Sequence, residues 1–174
     1  MTLTLDPVSK APAPLWTLRP EQPSDADAIA ALVARAFGPG RYVKAVERLR
    51  EGAAPDLEVS QAALLGADLI GSVRLWPIRV GETRSLLLGP IAVDDVARRR
   101  GLGAALVRAA VSAARAGGWP SILLVGDAHF FGPLGFSTAL ARDICLPGPV
   151  DPNRVMALRL ADGASLRGEA RRAA

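Results

Sequence analysis

The chain has 174 residues, of which 50% are hydrophobic and 22% charged, so it is long enough for one folded domain and too short for two large ones. A single cysteine, Cys145, and a single histidine, His129, exclude an internal disulfide framework and multi-cysteine or histidine-rich metal centres. The net charge of +4 rests on dispersed arginines with few aromatic residues, which argues against a nucleic-acid-binding protein.

Both ends of the chain are predicted to lie outside the folded domain. Residues 1–14 are rich in proline and lack periodicity, so we interpret them as a flexible leader. Asp6 precedes any apolar run of signal-peptide length, and no stretch approaches the roughly 18 apolar residues of a membrane span. We therefore expect a cytoplasmic protein with one domain at 15–161 and a polar tail at 162–174, the tail being either a frayed helix or disordered.

Hydrophobic periodicity predicts an alternation of helices and strands across the domain. In chain order the predicted elements are a strand at 15–19, a helix at 24–37, a short helix at 41–51, strands at 57–65, 68–80 and 85–93, a helix at 101–116, a strand at 121–125, a short helical segment at 127–135, and strands at 137–146 and 154–160. This order favours a mixed α/β sheet over a regular βαβ winding.

The strand predicted at 85–93 contains an irregular point. It is apolar on both faces, which is typical of a central strand covered by helices on both sides. Gly89 and Pro90 stand inside it, and proline cannot donate a hydrogen bond to a neighbouring strand. The pair therefore predicts a bulge or an interruption of strand pairing.

The most informative motif is the run at 98–104, RRRGLGA, at the start of the helix predicted at 101–116. The first backbone amides of a helix have no intrahelical acceptor and carry a partial positive charge, so they can bind an anion such as a pyrophosphate. A structural alternative is that the glycines relax a tight turn beside solvated arginines. The Gly-Lys-Ser/Thr of a P-loop is absent, and Leu106 occupies the position where a dinucleotide fingerprint needs Gly or Ala.

The motif and its surroundings resemble the GCN5-related N-acetyltransferase (GNAT) superfamily. Arg98, Gly101 and Gly103 match the family pattern Q/R-x-x-G-x-G/A. The preceding strand, LLLGPIAV, and the segment at 127–136, DAHFFGPLGF, are similar to further family elements in the same order. The likeness covers roughly 85–136, and the element order fits from 15 to 160.

The resemblance implies a mostly antiparallel sheet of about six or seven strands, with a splayed central pair and helices on both faces. It also implies that acetyl-CoA lies along this pair, while no metal is implied. The pyrophosphate would contact Arg98, Arg99, Arg100, Gly101, Leu102, Gly103 and Ala104, with the pantetheine along the backbone of Ile91, Ala92 and Val93 and beside Phe130 and Phe131. An N–H near Val93 would polarise the thioester carbonyl.

The implied activity is transfer of an acetyl group to an amine, by direct attack in a ternary complex. The candidate catalytic residues are Asp127 and His129, together with the Val93 amide, although Asp127 is equally an expected helix cap. Asp94 and Asp95 are further candidates for the general base, as are Glu58 and Glu82 if their strands face the cleft.

One departure from the family bears on activity. Many members carry a tyrosine that protonates the departing thiolate where this chain has Phe131, and the only tyrosine, Tyr42, lies in the second predicted helix. The alternative function is therefore a catalytically weak or inactive acyl-CoA sensor. We expect a small-molecule or peptide amine as the partner, no nucleic acid or membrane, and a monomer or homodimer.

Overall fold

The computed structural model describes residues 15–38 and 45–173. The predicted leader at 1–14 and Tyr42 lie outside the described residues. Within them, eight strands form an open mixed sheet, where six or seven were predicted. The strands are β1 (Thr17–Pro20), β2 (Gln61–Leu65), β3 (Asp68–Val80), β4 (Thr83–Val93), β5 (Ser121–Val125), β6 (Ile144–Cys145), β7 (Val155–Arg159) and β8 (Gly168–Arg172).

The strand order along the sheet is β1-β2-β3-β4-β5-β7, and β8 pairs with both β3 and β6. Neighbouring strands are antiparallel except for two parallel pairs, β4 with β5 and β6 with β8. The expected mostly antiparallel α/β sheet is thus confirmed.

Helices cover both faces of the sheet, as predicted. They are α1 (Ala26–Phe37), α2 (Leu102–Ala116) and the short α3 (Ala128–Phe131). Ala92 of β4 is buried in a cluster with Ile29, Leu32 and Val33 of α1. Its neighbours Ile91 and Val93 pack against the other cluster, which contains the buried side chains of α2. Because successive strand residues point to opposite faces, α1 and α2 lie on opposite sides of β4.

The bulge predicted at Gly89 and Pro90 is present. On β3, Val73 pairs with Ile91 and Leu75 pairs with Leu88, so two residues of β4 stand opposite Arg74 alone. The Gly89–Pro90 peptide bond is cis. The bulge occurs where β4 parts from β5, since the parallel pairing of these strands is limited to Leu86 with Ile122 and Leu87 with Leu123.

The predicted strand at 137–146 is wrong over most of its length. Only Ile144–Cys145 forms a strand, while Ala139–Ala141 is a 3-10 turn. The Ser137 hydroxyl accepts a hydrogen bond from the Ala139 amide at 3.1 Å, and this local bond competes with extended structure. The strand predicted at 57–65 is shorter than expected, because β2 begins at Gln61. Residues 41–44 of the second predicted helix lie outside the described residues, and its described part contains a 3-10 turn at Ala45–Leu49.

The expectation that the tail is a frayed helix or disordered is wrong for Gly168–Arg172. These residues form β8, which pairs with the end of β3 and with β6. Ala170 is the buried residue of this strand, and it packs in a cluster that includes Val80 and Ile144. A single small apolar residue among polar ones gives no visible alternation, so the pairing could not be predicted from the pattern.

Candidate functional site: a cleft along strand β4

The start of α2 presents backbone amides without side-chain capping. Its N-cap is Gly101, which has a left-handed backbone (φ 82°) and no side chain to accept from the first turn. The Ala105 amide donates to the Gly101 carbonyl at 3.0 Å, so the amides of 102–104 precede the first intrahelical bonds. A Cβ at Gly101 would meet no atom within 4 Å, and residues 101–104 line an open cavity.

The loop before α2 is held in a defined shape. Asp94 accepts from the Val96 amide at 3.2 Å and so caps a 3-10 turn at Asp95–Ala97. Arg98 forms an exposed ion pair with Asp95 at 2.9 Å. Arg99 adopts a left-handed backbone (φ 59°), which is uncommon for a residue other than glycine.

A cavity of about 390 Å³ lies at this helix start, and we call it the helix cavity. Its lining consists of Ala36, Phe37, Ile91, Val93, Ala97, Arg98, Arg99, Gly101, Leu102, Gly103, Ala104 and Phe130. Nine of the residues predicted to bind the cofactor are in this set. Ala92 is instead buried under α1, Arg100 is absent from the lining, and Phe131 belongs to the next cavity.

A second cavity, of about 360 Å³, opens where β4 and β5 part, and we call it the strand cavity. It is lined by Phe37, Val46, Glu47, Arg50, Leu88, Gly89, Pro90, Ile91, Val125, Gly126, Asp127, Phe130, Phe131 and Arg154. Phe37, Ile91 and Phe130 line both cavities. The two therefore form one cleft along the unpaired edge of β4.

The three candidate catalytic residues do not meet at one point. Asp127 lines the strand cavity, and its Oδ1 accepts from the His129 amide at 2.9 Å, so it also caps α3 as the alternative predicted. His129 is exposed and lines neither cavity. Val93 lies at the helix cavity, whereas the β4 residue that lines both cavities is Ile91, the first with an N–H after Pro90.

Phe131 occupies the core side of the strand cavity. Its side chain is buried and packs edge-on against Phe130 and Phe136, with ring centroids 4.8 and 5.7 Å apart. A Cβ on Gly126 would overlap the Phe131 ring, so glycine at that position makes room for the aromatic side chain. Phe131 therefore places an apolar ring at the position where the family resemblance implies a tyrosine hydroxyl.

The other carboxylates considered from the sequence lie outside the strand cavity. Asp94 pairs with Arg35 at 3.4 Å, and Asp95 pairs with Arg98. Glu82 is exposed and pairs with Arg171 at 2.8 Å, while Glu58 is exposed beyond the cleft. Their placement leaves Asp127 as the one sequence candidate for the base that lines this cavity.

Three charged residues of the strand cavity are missing from the sequence prediction. Glu47 and Arg50 form an ion pair at 2.5 Å with both side chains largely buried. The Arg154 Nε donates to the Gly126 carbonyl at 3.3 Å. The i,i+3 spacing of Glu47 and Arg50 is visible in the sequence, but nothing in it indicates that this pair faces Pro90.

The described residues, 15–38 and 45–173, contain neither a metal-binding cluster nor a membrane-spanning helix. No group of three or more His, Cys, Asp or Glu side chains is placed to hold a metal ion among these residues. No helix in the same part of the chain is both long and apolar enough to cross a membrane.

In this mixed sheet the central strands β4 and β5 part beside helix α2, which begins after Gly101. This arrangement is typical of an acyltransferase fold. The model of the acetyltransferase (GNAT) family matches residues 26–136, and the chain belongs to this family. It is 31% identical over 149 residues to "Uncharacterized N-acetyltransferase YhbS" of Escherichia coli K12, covering 84% of this chain and 89% of that protein.

Solved structures agree with this assignment. The crystal structure of YhbS from Escherichia coli in complex with CoA superposes with a TM-score of 0.77 at 26% identity, covering 95% of this chain and 94% of that one. A GNAT family acetyltransferase from Brucella melitensis in complex with acetyl-CoA has the same fold, with a TM-score of 0.69 at 23% identity. It covers 91% of this chain and 96% of the other.

Proposed function

We propose that the protein is an N-acetyltransferase that moves an acetyl group from acetyl-CoA to an amine. The observation that carries this proposal is the continuous cleft from the uncapped amides of α2 to the parting of β4 and β5. The similarity to a protein crystallised with CoA supports the choice of co-substrate. The acceptor is a small-molecule or peptide amine, and the protein acts in the cytoplasm as a monomer or homodimer.

The helix cavity fits a pyrophosphate. Its donors are the amides of 102–104, and residues 101–104 line this open cavity. Arg98, Arg99 and Arg100 add positive charge, and Arg98 pairs with Asp95 through Nη1 in an exposed ion pair. We assign the pyrophosphate to this site and the pantetheine to the β4 edge at 91–93.

The thioester then lies in the strand cavity. Backbone amides aimed at a carbonyl oxygen stabilise the negative charge that develops during attack. The Val93 amide is predicted for this role, but Ile91 is closer to the parting of the strands because it lines both cavities. We therefore propose that the Ile91 amide polarises the thioester, while Val93 contacts the pantetheine.

The reaction needs a neutral amine. For a lysine-like amine of pKa about 10.4, deprotonation at pH 7 costs about 4.6 kcal/mol, and for an α-amino group near 8 about 1.4 kcal/mol. Asp127 is the proposed proton acceptor through water, with His129 passing the proton to solvent. The amine nitrogen bonds to the carbonyl carbon, the nitrogen loses its proton, and the carbon–sulfur bond breaks to release CoA as a thiolate.

A second candidate function follows from Phe131. Its buried apolar ring supplies no proton for the thiolate, which favours a sensor that binds acetyl-CoA without fast turnover. A CoA thiolate is a tolerable leaving group, so this lack need not abolish transfer. The enzyme remains the primary proposal.

Turnover separates the two functions. We expect acetyl-CoA to bind in calorimetry and free CoA to appear, detected with a thiol reagent, when a panel of amines is added. Binding without CoA release across the panel would support the sensor. Absence of acetyl-CoA binding would overturn both.

A further inference from the structure

A third cavity, of about 330 Å³, adjoins the strand cavity on the α1 side of the sheet, and we call it the lateral cavity. Its lining consists of Ala30, Val33, Glu47, Arg50, Glu51, Arg74, Trp76 and Pro90. Glu47, Arg50 and Pro90 line the strand cavity as well. The lateral cavity therefore borders the strand cavity, where the thioester is proposed to lie.

Both arginines that line the lateral cavity are paired with carboxylates. Arg74 donates from Nε and Nη2 to the buried carboxylate of Glu21, at 3.0 and 2.5 Å. Arg50 donates to Glu47 at 2.5 Å. Because each cation has a carboxylate partner, neither is expected to attract an anionic acceptor strongly.

One carboxylate in the lining of the lateral cavity, that of Glu51, has no ion-pair partner among the described residues. Glu51 is exposed, and within the described part of the chain its side chain forms no ion pair. Its backbone carbonyl accepts from Arg172, but that bond leaves the carboxylate available. Among the described residues, the Glu51 carboxylate is therefore the charged group of this lining that has no ion-pair partner.

The remaining wall is apolar and includes an immobilised aromatic ring. The Trp76 Nε1 donates to the Gly89 carbonyl at 2.7 Å, which fixes the indole beside the bulge of β4. Ala30, Val33 and Pro90 complete this wall. An aromatic ring and a carboxylate around an apolar channel suit an organic ammonium ion with an aliphatic body.

We propose that the acceptor has two amino groups joined by an apolar chain. One amine is neutral and reacts at the Pro90 end, and the other is a cation held by Glu51 beside Trp76. This inference rests on the proposed function, because it places the acceptor of that reaction. Glu51 acts on specificity, so its charge should affect the Michaelis constant rather than the chemical step.

The test compares three acceptors that share a primary amine on a five-carbon chain: cadaverine, pentylamine and ε-aminocaproate. They end in a second amine, a methyl group and a carboxylate, respectively. We expect kcat/KM to fall in that order. Glu51→Gln should raise KM for cadaverine about fivefold, as expected for the loss of one exposed ion pair, with kcat and the pentylamine rate unchanged.

The control is Glu58→Gln, which removes an exposed carboxylate outside the cavity and should change nothing. If acetyl transfer occurs but ε-aminocaproate is used at least as well as cadaverine, or Glu51→Gln leaves the cadaverine KM unchanged, the diamine proposal is overturned while the enzyme stands. If acetyl-CoA does not bind, the proposed function fails. Calorimetry of cadaverine with the native and Glu51→Gln proteins then decides whether the lateral cavity binds a diamine.

Discussion

The ring of Phe130 lies 3.4 Å from the position that a Cβ atom would occupy on Gly103. The ring therefore packs over the first turn of α2, and glycine at 103 keeps a long side chain away from the amides there. Because 3.4 Å is an ordinary van der Waals separation, a methyl group at this position is tolerable. A charged side chain is a different case, since it would enter the helix cavity.

The first prediction concerns this charge. Gly103→Glu should weaken acetyl-CoA binding at least tenfold, about 1.4 kcal/mol, because a carboxylate would face the pyrophosphate. Isothermal titration calorimetry measures the change. Gly103→Gln is the matched control, as it has the same size without the charge. Equal losses in the two variants would show that bulk against Phe130, not electrostatics, governs this site.

The second prediction concerns the left-handed backbone of Gly101. Gly101→Ala should lower the free energy of unfolding by about 1 kcal/mol, because φ is 82° and a Cβ is disfavoured there even in open space. Urea denaturation measures this loss. Gly101→Asn should cost less, since asparagine tolerates left-handed backbone better. Identical stability of the alanine variant and the native protein would contradict the strained geometry.

The third prediction uses the pH dependence of an ion pair at the start of α1. The hydrogen bonds from Arg19, at 2.6 and 2.8 Å, hold the pKa of Asp25 below its ordinary value, with help from the Gln22 amide and against the opposing effect of burial. A lowered folded-state pKa stabilises the fold above the unfolded pKa, and this stability is lost as the pH falls through the folded value.

Asp25→Asn should therefore cost about 2 kcal/mol at pH 7, in the range for hydrogen bonds to charged groups. The difference from the native protein should begin to shrink as the pH falls below about 4, where Asp25 of the unfolded chain takes up a proton, and should be lost as the pH falls through the lower folded-state pKa. Denaturation curves across this range measure it. A cost that stays constant down to the acid limit would mean that shape, not charge, explains the effect.

The elements around the cleft were predictable because their signals are local. Helix α2 has apolar residues at helical spacing and ends at Gly117, and β5 is a short apolar run, so each pattern is contained in the element itself. The bulge at Pro90 was predictable for the same reason, since proline lacks the donor that strand pairing needs. The helix cavity followed from these signals and the family resemblance.

The acceptor side was not predictable, because it depends on contacts between distant segments. Glu47 and Pro90 line the same two cavities although 43 positions separate them, and no periodicity encodes that meeting. Strand β8 was missed for a similar reason, as Ala170 is buried by partners from β3 and β6. The resemblance implies the Val93 amide at the thioester, and our choice of the Ile91 amide instead depends on the two cavities that Ile91 lines, which the sequence does not show.

The last prediction concerns the closed end of the β4–β5 pair. The Ser121 hydroxyl donates to Ser85 Oγ at 2.9 Å, and Ser85 Oγ donates to the Ser121 carbonyl at 3.1 Å, with both residues fully buried. Ser85 and Ser121 stand one residue before the first paired positions, Leu86 and Ile122. Their hydrogen bonds therefore stabilise the start of a parallel pairing that extends only to Leu87 and Leu123.

Ser85→Ala should cost about 1–3 kcal/mol of unfolding free energy, because it leaves the buried Ser121 hydroxyl without its acceptor. Ser121→Ala should cost less, since Ser85 keeps its bond to the carbonyl. The double variant should recover part of the Ser85→Ala loss, because no buried hydroxyl is then left unsatisfied. Urea denaturation of all four proteins measures this cycle, and strictly additive losses would show that the two hydroxyls do not interact.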